Sequence, residues 1–132
     1  MPYAIRVHEH GGPEALRWEE VPLPEPQAGE VLVEHTAVGL NFIDVYFRTG
    51  LYQPAERPVI PGVEAAGRVT AVGPGVTGLK EGDRVAYATQ PPGSYTQARA
   101  MPANRLVKLR DEIDDETAAA IMLKGMTAQC LL

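Results

Sequence analysis

Four polar side chains lie close together in residues 41–52, where they offer an amide, a carboxylate and two phenols. They are Asn41, Asp44, Tyr46 and Tyr52, and apolar residues separate them. Polar groups of this kind in an apolar wall could orient a carbonyl group in a pocket. Spacing alone favours a structural alternative, in which Asn41 caps a helix, Asp44 is a first-turn charge and the tyrosines pack on an amphipathic face. By itself the pattern identifies no reaction.

The histidines and the single cysteine are the other candidates for chemistry. His8 and His10 would share one face of a strand and could share a metal ion, but the neighbouring sequence offers no third ligand. A solvent-facing pair at a strand end is the favoured interpretation, and His35 receives no role. Cys130 alone forms neither an intrachain disulfide nor a cysteine-rich zinc site, and we expect it to be a small buried residue.

Residues 73–78 match the glycine pattern of a dinucleotide fingerprint. In such a site the last glycine begins a helix whose N-terminus faces the pyrophosphate. Here residues 79–83 lead instead into another predicted strand. We therefore expect these glycines to form a hairpin loop that binds no phosphate.

The elements that must position these residues are mostly short strands between glycine and proline breaks. A short helix is predicted over residues 41–48, closed by Gly50, and a second over 117–132 after the acidic residues 114–116. Residues 118–123 are apolar all round, so the second helix should be covered on more than one side. Strands are predicted over residues 3–8, 16–21, 30–38, 63–72, 83–88, 93–100 and 106–109.

Composition limits the class of protein. The 132 residues and 14.2 kDa suit one domain, and 13 glycines with 12 prolines favour a mainly β fold with short helices, a barrel or a sandwich. A net charge of −5 with scattered cations argues against nucleic acid as a partner. The sequence contains no signal-like start and no run of eighteen apolar residues, so we expect a cytoplasmic protein with no membrane partner.

Several strings together resemble the quinone oxidoreductase (zeta-crystallin-like) branch of the medium-chain dehydrogenase/reductase superfamily. The likeness extends in one continuous register from residues 10–14 to the second predicted helix. The strings that carry it are residues 38–52, 60–69, 82–85 and 123–129.

The resemblance implies a GroES-like barrel that is the catalytic domain of a larger enzyme. Residues 1–132 would form that domain, and residues 114–132 would begin the helix leading to a Rossmann domain absent from these residues. NADPH would bind in the cleft between the two domains, beside a quinone or a related small electrophile. The full-length protein would be a homodimer, and the 132 residues alone would have little or no activity.

The resemblance also assigns roles to residues. Asn41 and Tyr46 would be the main polar contacts of the nicotinamide end, Tyr52 would lie nearer the substrate, and Thr127 would approach from the connecting helix. The cofactor wall would comprise Asn41, Phe42, Ile43, Asp44, Val45 and Tyr46. Where relatives often carry a tyrosine near the cofactor, this chain has Cys130.

The same comparison predicts that no metal binds. In the zinc alcohol dehydrogenases of the superfamily, the positions of Asn41 and Val63 are a cysteine and a histidine ligand. An amide and an isopropyl group replace neither on Zn²⁺, and Glu64 alone makes no site. Direct hydride transfer to a quinone needs no metal. Two alternatives stay open: a reductase of enones or aldehydes, and a non-catalytic GroES-like module that forms rings.

Overall fold

The computed structural model describes residues 1–53 and 57–132. In chain order its strands and helices are β1 (Tyr3–Val7), β2 (Leu16–Glu20), β3 (Glu30–Val38), α1 (Phe42–Thr49), β4 (Glu64–Val72), β5 (Arg84–Ala88), β6 (Ala98–Pro102), β7 (Val107–Lys108) and α2 (Asp115–Leu131). Short 3-10 turns at Pro13–Ala15 and Ala103–Arg105 complete the regular structure.

Two antiparallel sheets form the fold. Strands β6, β3, β4, β5 and β7 lie side by side in that order, and β1 pairs with β2 in a hairpin. Bridges from Ala4 to Thr96 and from Val7 to Val59 join the hairpin to the rest. The predicted mainly β fold with short helices is therefore confirmed. No pairing between the named strands is parallel, so the described residues contain no Rossmann unit.

The larger of two core clusters lies on one face of the larger sheet and is formed by inward-pointing residues of its strands. A period of two along a strand is what such packing on one face requires. The buried set consists of Val31, Val33, Ala65, Val69, Val85, Tyr87 and Met101.

The predicted strand over residues 93–100 is wrong in its first half, because β6 begins only at Ala98. The backbone before it bonds to other partners: the Tyr95 N–H donates to the carbonyl of Pro61 at 2.9 Å, and the Gln97 N–H to that of Tyr3 at 2.9 Å. This loop therefore links the hairpin to the turn before β4. Composition could not reveal these partners, since they are distant in sequence.

Helix α1 confirms the prediction for residues 41–48. Asn41 occupies the N-cap position with extended backbone, and its N–H donates to the carboxylate of Asp44 at 3.0 Å. Gly50 ends the helix with φ of 93°, a left-handed conformation that favours glycine. The capping pattern visible in the sequence is thus what starts and stops this helix.

Helix α2 is covered on one side only. Asp114 caps it by accepting from the Thr117 N–H at 2.7 Å, and Ala118 and Ala119 pack on alanines of β4 and β5. The sheet covers α2 on the side of Ala118, Ala119 and Leu123, whereas Ile121 is exposed, so cover on a second side stays a prediction. Cys130 is also exposed, contrary to the expected burial. No helix in the described part of the chain is both long and apolar enough to cross a bilayer.

Candidate functional site

The two tyrosines predicted for the site meet at the C-terminal end of α1. The rings of Tyr46 and Tyr52 lie edge to face, with centroids 5.3 Å apart, and the Tyr52 N–H donates to the Tyr46 carbonyl at 3.2 Å. Phe47 supports the second ring from 6.0 Å. Tyr52 is exposed and Tyr46 half-buried, so both phenols are held near the surface beside an apolar residue.

Asp44 supports the start of α1 from below. Its side chain is only 4% exposed, and its carboxylate accepts from the Asn41 N–H and from the Tyr95 hydroxyl at 2.6 Å. Burial, reinforced by the hydrogen bond to this carboxylate, raises the pKa of Tyr95 well above its usual value, so Tyr95 is the donor. The structure therefore places Asp44 beneath the predicted cofactor wall, where its carboxylate does not face outward.

The Asn41 side chain lies between two charged groups of other elements. Its amide nitrogen donates to the carboxylate of Glu64, at the start of β4, and its amide oxygen accepts from the Lys124 ammonium of α2 at 3.3 Å. Glu64 also accepts from the backbone N–H of Leu123 at 3.1 Å. We call Asn41, Glu64 and Lys124 the Asn41 cluster. It joins α1, β4 and α2 at one point.

The outer surface beside this cluster is open. Phe42 is 83% exposed and Leu40 is exposed beside it, while Ile43 and Val45 are half-buried. Thr127 is exposed on α2, where its hydroxyl donates to the Leu123 carbonyl at 2.8 Å. Direct contacts thus tie Asn41 to α2 and Tyr46 to Tyr52. Among the described residues no hydrogen bond joins these two groups to each other.

Two cavities are lined in part by residues 38–52. A pocket of about 980 Å³ is lined by Phe47 of α1 and also by Arg6 and Arg99. A smaller groove of about 400 Å³ runs along the end of β3 and includes Trp18 and Leu40. Residues 38–52 therefore contribute to two concave surfaces.

A second polar group, which the sequence did not reveal, lies in the core. Tyr87 is fully buried, and its hydroxyl donates to the Nε2 of His35 at 2.9 Å while accepting from Ser94 at 2.8 Å and Arg99 at 3.2 Å. The His35 Nδ1–H donates to the Thr96 carbonyl at 2.8 Å. We call His35, Tyr87, Ser94 and Arg99 the His35 network. The signal in the sequence was that His35 shares the inward face of β3 with Val31 and Val33.

This network holds His35 neutral. Burial lowers the pKa of His35 to about 4, against the raising effect of the hydrogen bond to Thr96. A neutral ring needs one donor and one acceptor nitrogen, and the two hydrogen bonds supply a partner for each. His35 is therefore part of the fold's internal hydrogen bonding.

The candidate metal ligands do not converge. His8 is exposed and contacts Glu19. The His10 ring lies against Gly50, and its Nε2 contacts Arg57. The expected solvent-facing pair is therefore correct only for His8. Val63 is buried. In residues 1–53 and 57–132 no three His, Cys, Asp or Glu side chains are grouped as a metal site.

The glycine-rich segment 73–78 is a connection between strands. The Gly73 N–H donates to the Glu30 carbonyl at 2.8 Å, and Gly75 and Gly78 have φ of 79° and 85°. The segment runs from β4 to β5, with no helix between them. The geometry needed to bind a pyrophosphate at a helix N-terminus is missing here, as predicted.

Comparisons with known proteins identify one family and two similar reductases. Residues 27–111 match the family described as Alcohol dehydrogenase GroES-like domain. A protein named Quinone oxidoreductase from Pseudomonas aeruginosa is 49% identical over 132 residues, which is 100% of this chain and 41% of the relative. A 2-haloacrylate reductase from Burkholderia sp is 44% identical over 137 residues, covering 100% of this chain and 41% of that protein.

A solved structure shows the same arrangement. The quinone oxidoreductase of Escherichia coli complexed with NADPH is similar to this chain with a TM-score of 0.95 and 45% identity, over 98% of this chain and 40% of that one. The chain thus spans about two fifths of the length of the proteins it matches.

Proposed function

Because the chain belongs to the alcohol dehydrogenase GroES-like domain family, we propose that it is the catalytic domain of a zinc-independent NADPH:quinone reductase. The proposal assigns residues 1–132 to this domain and residues 114–132 to the start of a helix leading to a Rossmann domain. Relatives named for quinone reduction support it, since the chain matches them over its whole length but covers only 41% of the Pseudomonas protein.

The observation that carries the proposal is the open end of α1. Phe42 is 83% exposed beside the half-buried Asn41, so a planar ring can reach this surface. Beyond its contacts with Glu64 and Lys124, the Asn41 amide retains one N–H and one lone pair. A carboxamide such as that of nicotinamide offers the complementary acceptor and donor, so the residues present fit the cofactor.

The proposed cofactor wall divides into contacts and supports. Asn41 and Tyr46 would orient the nicotinamide end, with Thr127 approaching from α2. Asp44 would act from beneath, through its contacts with the Asn41 N–H and Tyr95. Bound NADPH supplies the hydride from C4 of its nicotinamide. The wall as a whole comprises Asn41, Phe42, Ile43, Asp44, Val45 and Tyr46.

Tyr46 and Tyr52 would serve the acceptor. A quinone reduced by hydride addition develops negative charge on a carbonyl oxygen, and a phenol aimed at that oxygen stabilises the transition state. One well-placed donor is worth about 3 kcal/mol. Protonation of the product anion can come from solvent or from a pocket hydroxyl, so no strong general base is needed. Tyr52, the more exposed of the two, would lie nearer the quinone.

The proposal excludes a catalytic zinc on the chemistry of the donor set. Asn41 offers an amide that already contacts Glu64 and Lys124, and Val63 offers only an apolar side chain. Neither can replace a thiolate or an imidazole as a zinc ligand. We also propose that the full-length protein is a cytoplasmic homodimer, a state that light scattering tests.

A second candidate function is reduction of a double bond conjugated to a carbonyl group. The 44% identity to a 2-haloacrylate reductase favours it, because that name indicates an electron-poor alkene as substrate. The same wall and the same phenols would serve, with charge developing on the conjugated oxygen instead of a quinone oxygen.

The test is NADPH oxidation by the full-length protein, followed at 340 nm with 1,4-naphthoquinone and with 2-cyclohexenone. We expect the quinone to give the higher kcat/KM, with no loss after treatment with a chelator. Replacing Tyr52 by Phe should lower kcat about 100-fold, the equivalent of one lost donor. The 132-residue chain alone should show little or no activity. No quinone turnover by the full-length protein would contradict the proposal, and a preference for cyclohexenone would favour the second candidate.

A further inference from the structure

We propose that Glu64 is a positioning residue that fixes which end of the Asn41 amide is presented to the cofactor. The functional meaning of this proposal rests on the proposed reductase. The structural part, an amide held in one orientation by a buried carboxylate, can be tested without any cofactor.

The position of Glu64 is unusual for a carboxylate. Its side chain is 0% exposed at the first residue of β4. Buried carboxylates need hydrogen-bond donors, and this one receives two, from the Asn41 amide and from the Leu123 backbone N–H at 3.1 Å. One carboxylate thus contacts the beginning of α1 and the middle of α2.

Gly39 makes this contact possible. A Cβ at position 39 would lie 2.3 Å from the Glu64 Cγ and 2.4 Å from the Ala119 carbonyl oxygen. The Gly39 N–H also donates to the Glu64 carbonyl at 3.0 Å. The end of β3, Glu64 and α2 therefore approach more closely than any side chain at this position would allow.

The carboxylate also decides the orientation of the amide. An asparagine amide has a donor end and an acceptor end of nearly equal size, which exchange when the group rotates by a half turn. A carboxylate only accepts, so the NH₂ end must face Glu64. The Lys124 ammonium only donates, and it contacts the oxygen end at 3.3 Å. Both neighbours therefore favour the same orientation.

The consequence for the proposed site follows directly. A half turn of the amide would exchange the donor and the acceptor that Asn41 offers to a nicotinamide carboxamide, turning two attractive contacts into two repulsive ones. A group whose orientation is fixed before binding avoids that mismatch. Glu64 acts through Asn41, and nothing places it against the substrate.

The test is Glu64→Gln in the full-length protein. Glutamine has the same shape but can donate as well as accept, so position 64 no longer selects one orientation of the Asn41 amide and only the exposed Lys124 still favours it. We expect the Kd of NADPH to rise about 10-fold and kcat for the quinone to fall. With asparagine side chains labelled with ¹⁵N, the NH₂ signals of Asn41 should shift and lose exchange protection. Those of Asn104, which is exposed and is the other asparagine within residues 1–132, should not change.

A double variant separates orientation from simple attachment. When Glu64→Gln is combined with Asn41→Asp, the introduced glutamine can donate to the introduced aspartate, which restores a hydrogen bond between the two positions with reversed polarity. We expect the melting temperature to recover toward that of the original protein while NADPH affinity stays reduced. Recovery of affinity together with melting temperature would overturn the proposal, because attachment would then suffice.

Asp115→Asn is the matched control on α2. Asp115 also ties α2 to the sheet, by accepting from Thr36 at 2.6 Å and Arg84 at 2.7 Å, but does not contact Asn41. This variant should lower the melting temperature and leave the Asn41 signals and NADPH affinity unchanged. If Asp115→Asn weakened NADPH as much as Glu64→Gln does, loosening of α2 would explain the effect and the proposal would fail.

The experiment also separates this proposal from the reductase function. If the unaltered full-length protein does not bind NADPH, the proposed function fails, while the Asn41 signals in Glu64→Gln still report on the orientation of the amide. If the unaltered protein binds NADPH and Glu64→Gln changes neither affinity nor Asn41 signals, the positioning role is wrong and the reductase stands.

Discussion

The His35 network and the Asn41 cluster both place polar groups inside the molecule, but they differ in how much hydrogen-bonding capacity stays unused. In the His35 network the Tyr87 hydroxyl donates to one neighbour and accepts from two, so its capacity is filled internally. In the Asn41 cluster the amide keeps a donor and an acceptor beyond its partners, and Lys124 is exposed. The Tyr87 hydroxyl therefore has nothing left to offer a ligand, whereas the Asn41 amide can also bind one.

The comparison predicts that substitutions in the two regions have different effects. Damage to the His35 network should lower the free energy of unfolding with no effect on NADPH binding. Damage around the Asn41 cluster should change binding as well.

The largest expected effect is the pH dependence of stability that His35 produces. The pKa of His35 falls from 6.5 to about 4 on folding, so between these pH values the unfolded chain binds more protons than the folded one. Stability is therefore highest above pH 6.5 and falls as the pH drops through this window, by about 3 kcal/mol in total. Urea unfolding between pH 7.5 and 4 measures it. His35→Gln should remove this part of the pH dependence, and an unchanged profile would contradict the assignment.

Gly39→Ala should have the next largest effect, on the Asn41 side. The added methyl group would collide with the Glu64 side chain and with the α2 backbone at Ala119. Overpacking of this kind costs between about 2 and 3 kcal/mol, and it should also weaken NADPH binding in the full-length protein.

Gly125→Ala is the control for that substitution, because a Cβ at Gly125 meets nothing within 4 Å. In the interior of α2 it should raise stability by up to about 1 kcal/mol through helix propensity. Equal destabilisation by both variants in urea unfolding would show that the close approach at Gly39 is not the cause.

Tyr87→Phe tests the closed region with a single lost hydroxyl. It leaves His35 Nε2 and Ser94 without their shared partner in a buried setting, at a cost of about 2.5 kcal/mol. Urea unfolding should show the loss, and a titration of the full-length protein should show unchanged NADPH affinity. A weakened affinity would break the distinction between the two regions.

Tyr95→Phe removes the same atom on the other side of the comparison. Its hydroxyl donates to Asp44, which keeps the Asn41 N–H as a partner, so we expect a smaller loss of about 1.5 kcal/mol. Because Asp44 supports the start of α1, this variant should also weaken NADPH binding. Matched affinities for Tyr95→Phe and Tyr87→Phe would contradict the supporting role of Asp44.

Local signals in the sequence were enough for much of the fold. Asn41, Asp44 and Gly50 predicted the ends of α1 within one residue, because caps act through neighbours in the chain. The strand over 30–38 agrees with β3 for a similar reason, since its strong β-forming residues act locally. The strand proposed over 93–100 failed where its backbone bonds to residues far away in sequence.

The two polar regions depended on such distant contacts. Glu64 and Asn41 are 23 residues apart, and His35 and Tyr87 are 52 apart. No local pattern marks any of these residues as part of a pair, and a glutamate with no partner nearby in the sequence predicts no site. Only the folded sheet brings β4 under α1 and α2, so the resemblance to known reductases could suggest Asn41 but could not reveal what holds it.

The lone tryptophan gives the groove beside β3 an intrinsic optical reporter. Trp18 is 60% exposed, stacks on Tyr3 with ring centroids 5.2 Å apart, and contributes to the groove that ends at Leu40. Any domain or ligand that covers this surface would move the indole out of water and shift its emission to shorter wavelength. Docking there could therefore be timed in a stopped-flow instrument without attaching a dye.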